Sequence, residues 1–203
     1  MSPKPIAPSA PGAARSKLLA AATSVDDLCA RAGVTKGGFF HHFPTKDSLA
    51  VAAANLWSES SHARFAAAPY QRFDDPLDRI LGYLEFRKSM LRGGAAEFSC
   101  LAGTMLQEVY RTHPDIRNAC DSSIGSHAAH LESDIAAAIR CHRIRAPWTA
   151  GSLALHIQAV LQGAFVVAKG KDDAGVVAAS IDHLRRYIEL LFARAGRNTV
   201  RRN

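Results

Sequence analysis

The stretch Thr23–Leu49 constrains the fold of this chain more than any other part of its sequence. It reads TSVDDLCARAGVTKGGFFHHFPTKDSL. Thr23 and Asp26 have the spacing of a capping box, which predicts the start of a helix. Gly33 is where this helix should end, because glycine adopts the left-handed conformation at little cost. Thr35 is a suitable N-cap for a second helix. The pattern therefore predicts two short helices joined by a tight turn.

The second predicted helix, KGGFFHH, has a composition that suits contact with nucleic acid. Two helices joined by such a turn form a helix-turn-helix, whose second helix enters the major groove of DNA. Gly37 and Gly38 are poor helix formers, and their presence is better explained where the backbone must approach another surface closely. Lys36 and, beyond Pro44, Lys46 can each neutralise a phosphate.

The same stretch resembles the DNA-binding region of TetR-type regulators, whose pattern is close to T-S-V-x-D-I-A-x-x-A-G-V-S-K-G-x-L-Y-x-H-F-x-x-K-x-x-L. The resemblance implies that Thr23 caps the first helix of the pair and contacts a phosphate, and that His41 faces the DNA backbone or bases. It implies a ligand-responsive repressor that binds a pseudo-palindromic operator as a homodimer and is released by a small molecule. The residues implied to contact double-stranded operator DNA are Thr23, Ser24, Thr35, Lys36, Gly37, Gly38, Phe40, His41 and Lys46.

Two positions depart from the family pattern. Phe40 stands where the family usually has tyrosine, so one phosphate hydrogen bond should be missing. The run Ala20–Ala22 passes directly into Thr23, so that roughly ten residues of the family's first helix, about three turns, are absent. The shortened helix leaves an alternative open, in which the chain is a dimerisation module that no longer binds DNA.

The remainder of the chain predicts helices and no strand, so the expected fold class is all-α. Hydrophobic residues make up 48% of the chain, which is enough for a core. We expect an N-terminal three-helix DNA-binding domain, its first helix shortened, followed by a helical ligand-binding and dimerisation domain. The expected divisions are a disordered arm at 1–14, the helix-turn-helix domain at 15–62, the helical domain at 63–194 and a basic tail at 195–203. Beyond residue 45 the predicted helices are 46–64, 76–91, 101–111, 115–142, 147–166 and 176–194.

The resemblance also implies a small-molecule pocket, and a four-helix bundle formed between two chains by the last two helices. The second of these helices has an apolar stripe at a spacing of three to four residues. The pocket residues implied in this way are Leu84, Phe98, Met105, Tyr110, His127, Trp148 and Gln158. The implied dimer residues are Leu161, Phe165, Ile181, Leu184, Ile188 and Leu191.

The four cysteines form no CxxC pair and no Cys/His cluster with zinc spacing, so we expect no metal site. Cys29 lies on an apolar helix face and is interpreted as a packing residue. Cys100, Cys120 and Cys141 are a candidate oxidant or electrophile sensor, but no basic cluster surrounds Cys100 in the sequence. The basic residues beside Cys141 follow it directly, and direct neighbours on a helix do not face each other.

Other classes of protein are disfavoured. The chain has no nucleophile–base signature and no glycine-rich phosphate loop, so no catalytic residue and no cofactor is expected. No signal peptide is visible in the sequence. It has no apolar run long enough to cross a bilayer, and a cytoplasmic location without membrane contact is expected. The net charge of +7 is uneven, since the last eleven residues carry four arginines and no acid. The basic charge alone is therefore weak evidence for nucleic-acid binding.

Overall fold

The computed structural model describes residues 23–145 and 147–200, and these residues form helices joined by turns and short loops, without a strand. The all-α prediction is confirmed. The helices are α1 (Val25–Ala32), α2 (Lys36–His42), α3 (Lys46–Ala66), a 3-10 helix (Pro69–Arg72), α4 (Pro76–Ser89), α5 (Ala95–Phe98), α6 (Leu101–Val109), α7 (Pro114–Cys141), α8 (Ala150–Lys171) and α9 (Gly175–Val200).

The ends of several helices differ from the sequence prediction. The last helix continues to Val200, six residues beyond Arg194, and α8 continues to Lys171, five residues beyond the predicted end at residue 166. The prediction missed the 3-10 helix and α5, because neither is long enough to show a period. The arm at 1–14 and the predicted helical segment at 15–22 lie outside the described residues, and so does the end of the tail at 201–203.

The helix α7 is the centre of the fold, because it packs against α3, α4, α6 and α8. Its first half forms a small apolar cluster with α3 and α6. In this cluster Ala50 and Ala54 of α3 meet Met105 of α6, and Ile116 and Cys120 of α7 complete it. The small side chains of α3 allow this helix to approach α6 and α7 closely. Because α3 directly follows α1 and α2, the contact joins these two predicted DNA-binding helices, here called the reading head, to the body of the protein.

A second and larger cluster joins the second half of α7 to α4, α8 and α9. The capping box of Thr149 and Ser152 starts α8 at Ala150, three residues after the predicted start at residue 147. Gln158 is a buried polar residue in this cluster, and its Nε2 donates to the Tyr83 hydroxyl at 3.2 Å. The hydrogen bond satisfies an amide that would otherwise be costly to bury.

The predicted dimer residues belong to this second cluster. It packs them, Leu191 only in part, against α4, α7 and the neighbouring helix of the same chain. An apolar stripe shows that a helix face is buried, but it does not show which partner buries it. The buried residues of this set are Leu161, Phe165, Ile181, Leu184 and Ile188, and Leu191 is partly buried against them.

The opposite faces of α8 and α9 carry large apolar side chains that are open to solvent. Ten large hydrophobic residues are exposed in the described part of the chain, and half of them lie on these two helices. A concentration of this kind is typical of a protein–protein contact rather than of an ordinary surface. The five are Leu155 (61% exposed), Val166 (45%), Val167 (48%), Tyr187 (43%) and Leu190 (50%).

Candidate nucleic-acid interface

The turn between α1 and α2 has the geometry of a helix-turn-helix. Ser24, and not Thr23 as predicted, is the N-cap of α1: its Oγ accepts from the Asp27 N–H at 3.1 Å. The Asp27 carboxylate accepts from the Ser24 N–H at 3.0 Å, which completes the capping box one residue later than expected. Gly33 ends the helix with φ 66°, in the left-handed region, as predicted.

The helix α2 begins at the predicted N-cap, Thr35, whose Oγ1 accepts from the Gly38 N–H at 3.0 Å. Phe39 is buried against Leu28 and Cys29 of α1, so the interpretation of Cys29 as a packing residue is confirmed. Because one face of α2 is fixed in this way, the opposite face is turned outward. Phe40 on that face is 46% exposed. Its ring stands edge-on to the ring of Phe39, with the two ring centroids 5.2 Å apart.

The charges around this face are nearly balanced. Residues 23–49 contain three Lys or Arg and three Asp. Lys36 Nζ lies 3.0 Å from Asp26 Oδ1, and both side chains are well exposed. Exposed ion pairs of this kind are worth little, so a phosphate can replace Asp26 as the partner of Lys36. Much of the affinity of this face for DNA must then come from hydrogen bonds and from its shape.

The start of α3 contacts the body of the protein as well as the reading head. Thr45 caps α3 and forms a capping box with Ser48. His113, the residue before α7, lies with its Nε2 3.7 Å from Asp47 Oδ2. This link between the two parts was not predicted, because 66 residues separate its members in the sequence.

The predicted DNA contacts are all exposed or half-buried. Thr35, Lys36 and His41 are exposed, Lys46 and Thr23 are half-buried, and Ser24 and Phe40 are exposed beside them. Gly37 and Gly38 are exposed at the start of α2. A Cβ on Gly37 would meet nothing closer than Thr35 Oγ1 at 4.0 Å, whereas on Gly38 it would approach that oxygen to 3.3 Å.

The predicted pocket residues do not form one site. Leu84 and Gln158 are buried in the large cluster with Phe98 and Trp148 at its edge, whereas Met105 is buried in the small one. Tyr110 is 53% exposed and lines a surface groove with Leu106 and Asp121. His127 is different, because it lines a cavity of about 140 Å³ between α3, α4 and α7.

This cavity has several polar groups on its wall. Burial lowers the pKa of His127 to about 3, and Arg87, His130 and His62 add to this effect, so the His127 imidazole is neutral at physiological pH. Burial also raises the pKa of Tyr70, which therefore stays protonated. At the rim, His62 Nε2 of α3 lies 3.3 Å from His130 Nε2 of α7. His127 and Tyr70 therefore offer neutral hydrogen-bonding groups in a cavity that borders α3.

The structure supplies the basic group that the sequence did not show near Cys100. Cys100 is the N-cap of α6, and its Sγ accepts from the Gly103 N–H at 3.4 Å. Lys169 of α8 donates from Nζ to Thr104 Oγ1 at 2.6 Å, one turn further along α6. Burial lowers the pKa of Lys169, whereas the nearby Cys100 and Glu108 oppose this shift. A thiol and an amine that are 69 residues apart in the sequence thus become neighbours.

The helix α8 is long and apolar enough to span a bilayer by length and composition alone. In the fold it packs against α7, α9 and α5, as a core helix does. The sequence expectation that no segment has a membrane-spanning composition is therefore corrected for this helix, although its buried face is explained by packing within the protein.

Two family models match the sequence. Residues 20–53 match the model described as bacterial regulatory proteins, tetR family, and this match contains α1, α2 and the start of α3. Residues 76–184 match the model described as tetracyclin repressor-like, C-terminal domain, which is more than half of the chain. No curated protein matches the sequence significantly.

Solved structures of similar fold include a TetR transcriptional regulator from Chloroflexus aurantiacus, with 27% identity, a TM-score of 0.76 and coverage of 88% of this chain and 90% of that one. A TetR-family regulator from Agrobacterium tumefaciens has 19% identity, a TM-score of 0.74 and coverage of 86% and 93%. A cysteine mutant of the regulator CifR, in complex with 26-bp operator DNA, has 16% identity, a TM-score of 0.69 and coverage of 85% and 91%. With both family models matched in order along one helical fold, this chain belongs to the TetR family of bacterial DNA-binding transcriptional regulators.

Proposed function

We propose that the protein is a dimeric repressor that binds a pseudo-palindromic operator and is released by a small effector. The outward face of α2 carries this proposal, because its backbone is bare at Gly37 while Lys36 and His41 stand beside it. A helix placed in this way can enter the major groove. The protein would act in the cytoplasm, where the DNA lies, and would block transcription when it occupies the operator.

Two chains would pair through the outer faces of α8 and α9. The exposed residues of α8 follow a helical stripe in which the small Ala159 and Gly163 lie between the larger Leu155 and Val167. Small residues in such a stripe permit close approach of a second helix. The stripe continues onto α9, since the His156 and Tyr187 rings lie 5.4 Å apart. A two-fold axis through this face would set the spacing of the two reading heads.

The effector would act through α3. Ala50 and Ala54 pack the first half of α3 against α6 and α7. Phe65 packs the end of α3 into the larger cluster of α4, α7, α8 and α9. The cavity beside His127 lies against the same helix, and we propose it as the effector site. A ligand changes operator affinity only to the extent that it binds the two states of the protein differently. A ligand that separates α3 from α7 would therefore release the operator.

A second candidate for the effector step is covalent modification of Cys100. The observation that favours it is Lys169, whose amine stands beside a thiol at a helix N-terminus. Amide N–H groups and a cation both stabilise negative charge on sulfur. With an α,β-unsaturated carbonyl, the Cys100 thiol would pass its proton to the Lys169 amine and sulfur would bond to the β-carbon. The π electrons would move to the carbonyl to give an enolate, and Lys169 would return the proton to the α-carbon. Cys100 borders both apolar clusters, so an adduct there would disturb α6 against α8.

The experiment that tests the main proposal is fluorescence anisotropy of the purified chain with its own upstream intergenic DNA, in the presence of non-specific competitor. We expect specific binding of two chains per site. Binding no tighter than to random DNA would favour the alternative of a dimerisation module. Small electrophiles and general metabolites are then added to the complex. Release by electrophiles from wild type, but not from Cys100→Ser, would distinguish the covalent candidate from the cavity.

A further inference from the structure

The end of α7 and the start of α4 bring three metal-ligating side chains together. The ligating atoms of Asp75, Cys141 and His142 all lie within 4.8 Å of one another. His142 Nε2 is 2.9 Å from Asp75 Oδ1. Asp75 and His142 are half-buried, and Cys141 is exposed. This cluster is distant in sequence from the reading head and takes no part in the proposed function.

The end of α7 explains why two direct neighbours in sequence converge here. Cys141 is the last residue of α7, and His142 is its C-cap. Arg143 then adopts φ 51°, and the Ile144 N–H donates to the Ile139 carbonyl at 2.9 Å. This is the Schellman arrangement that closes a helix, and Ile144 is buried behind it. Because the chain leaves the helical path at residue 142, the rule that adjacent side chains diverge no longer applies.

The other two ligands are held in place by their surroundings. Asp75 is the N-cap of α4, and its Oδ1 accepts from the Leu77 N–H at 2.8 Å. The His142 ring lies 6.0 Å from the ring of Phe192, near the end of α9. Three elements therefore fix the carboxylate and the imidazole, while the exposed thiol keeps its rotational freedom.

We propose that Asp75, Cys141 and His142 form a binding site for Zn²⁺ or a similar borderline-soft divalent cation, with water as the fourth ligand. Thiolate, imidazole and carboxylate are the ligands that Zn²⁺ takes in proteins, and three of them with an open position are a known arrangement. Bonds of about 2.0 Å to nitrogen and oxygen and about 2.3 Å to sulfur separate tetrahedral ligands by about 3.3 to 3.5 Å. The ligating atoms lie within 4.8 Å of one another. Rotation of Cys141 brings its sulfur into this range, while the 2.9 Å contact between His142 and Asp75 opens slightly.

A bound ion would join the first turn of α4 to the last turn of α7. In the absence of an ion, the hydrogen bond between His142 and Asp75 makes the same connection with one contact fewer. The hydrogen bond alone is the competing explanation of the cluster, and it needs no thiol. The role of Cys141 therefore separates the two explanations.

The test is titration of the full chain, freed of any affinity tag and kept reduced by a non-thiol reductant, with Co²⁺ followed by Zn²⁺. We expect one ion per chain and a thiolate-to-cobalt charge-transfer band that Zn²⁺ abolishes. Cys141→Ser should remove the band, and His142→Gln should raise the apparent Kd for Zn²⁺ at least tenfold. Cys141 is exposed, so its serine variant should fold, and circular dichroism verifies this.

His62→Gln is the control, because it removes an exposed imidazole that lies outside the cluster and has a histidine neighbour. Its Zn²⁺ affinity should equal that of wild type. If His62→Gln loses the ion while His142→Gln retains it, the site lies elsewhere and the proposal is wrong. A wild-type titration without a thiolate band, or one that Cys141→Ser leaves unchanged, would also overturn it.

Discussion

The glycines at the start of α2 weaken the helix that they begin. A glycine within a helix is less favourable than alanine by about 1 kcal/mol. In the part of the chain that the structure describes, nothing requires residue 37 to lack a side chain, since a Cβ there would lie 4.0 Å from its nearest neighbour, Thr35 Oγ1. We propose that the DNA groove is the surface that this bare backbone approaches.

Replacing Gly37 with alanine should separate stability from binding. We expect Gly37→Ala to raise the free energy of unfolding by up to about 1 kcal/mol, because it favours the helix, and to weaken operator binding at least tenfold. Urea unfolding and anisotropy measure the two effects. Gly125→Ala is the control, since Gly125 lies in α7 with open space around it and should gain stability without loss of affinity. Unchanged operator affinity in Gly37→Ala would contradict the assigned contact.

His127 makes stability depend on pH. Its pKa is about 3 in the folded state and about 6.5 in the unfolded chain. Between these values the unfolded state binds more protons, so the contribution of His127 to stability is present above pH 6.5 and is lost as the pH falls. By pH 5 the loss reaches about 2 kcal/mol. Urea unfolding at pH 7 and pH 5 should show a smaller loss for His127→Phe. Equal losses in both proteins would show that His127 is not buried in its neutral form.

At the scale of helices, the sequence predicts where elements lie better than which partner they face. Thr35, Gly33 and Pro114 mark helix ends through local backbone chemistry, and the structure has ends at or beside each of them. The apolar stripe of α9 was assigned to a partner chain, although Ile181 and Ile188 face the core of their own chain. Periodicity could not decide this, because α9 has apolar residues on both sides.

The outer faces of α8 and α9 should control the oligomeric state. Leu190→Arg places a charge on the proposed contact, where a partner chain would bury it without compensation. We expect a monomer that retains its helix content and binds operator DNA at least tenfold more weakly. Light scattering coupled to size-exclusion chromatography measures the mass. Leu56→Arg is the control, because Leu56 of α3 is equally exposed, at 52%, and lies away from this face. A dimeric Leu190→Arg would place the dimer contact elsewhere.

At the scale of the whole molecule, function depends on groups that the sequence keeps far apart. The local DNA-binding motif was found in the sequence because its residues are consecutive. The pairs Cys100–Lys169 and Asp47–His113 were not found, and of the residues that line the cavity only His127 was named, since only packing of α3, α6 and α8 around α7 assembles these groups. Contacts between residues that are far apart in the sequence leave no local pattern that a single sequence could reveal.

The salt dependence of operator binding should report on both heads of a dimer together. Each phosphate neutralised by a side chain contributes about −0.9 to the slope of log K against log salt. Lys36→Ala removes one such contact from each of two heads, so the slope should become shallower by about 1.8. Lys171→Ala, at the end of α8, should leave it unchanged. Anisotropy at several salt concentrations gives the slopes, and an unchanged slope in Lys36→Ala would mean that Asp26 keeps its partner.

Because α3 is one continuous helix, a small tilt at one of its ends produces a larger displacement at the other. Its 21 residues span about 30 Å, with one end beside the recognition helix and the other in the large apolar cluster. A tilt of about 5° about the inner end would move the outer end by about 3 Å over that length. Two such arms swing in opposite directions in a symmetric pair, so the separation of the heads changes by up to twice as much. An effector of the proposed kind would therefore need only a small, local displacement of α3 to misalign the protein with the two half-sites of its operator.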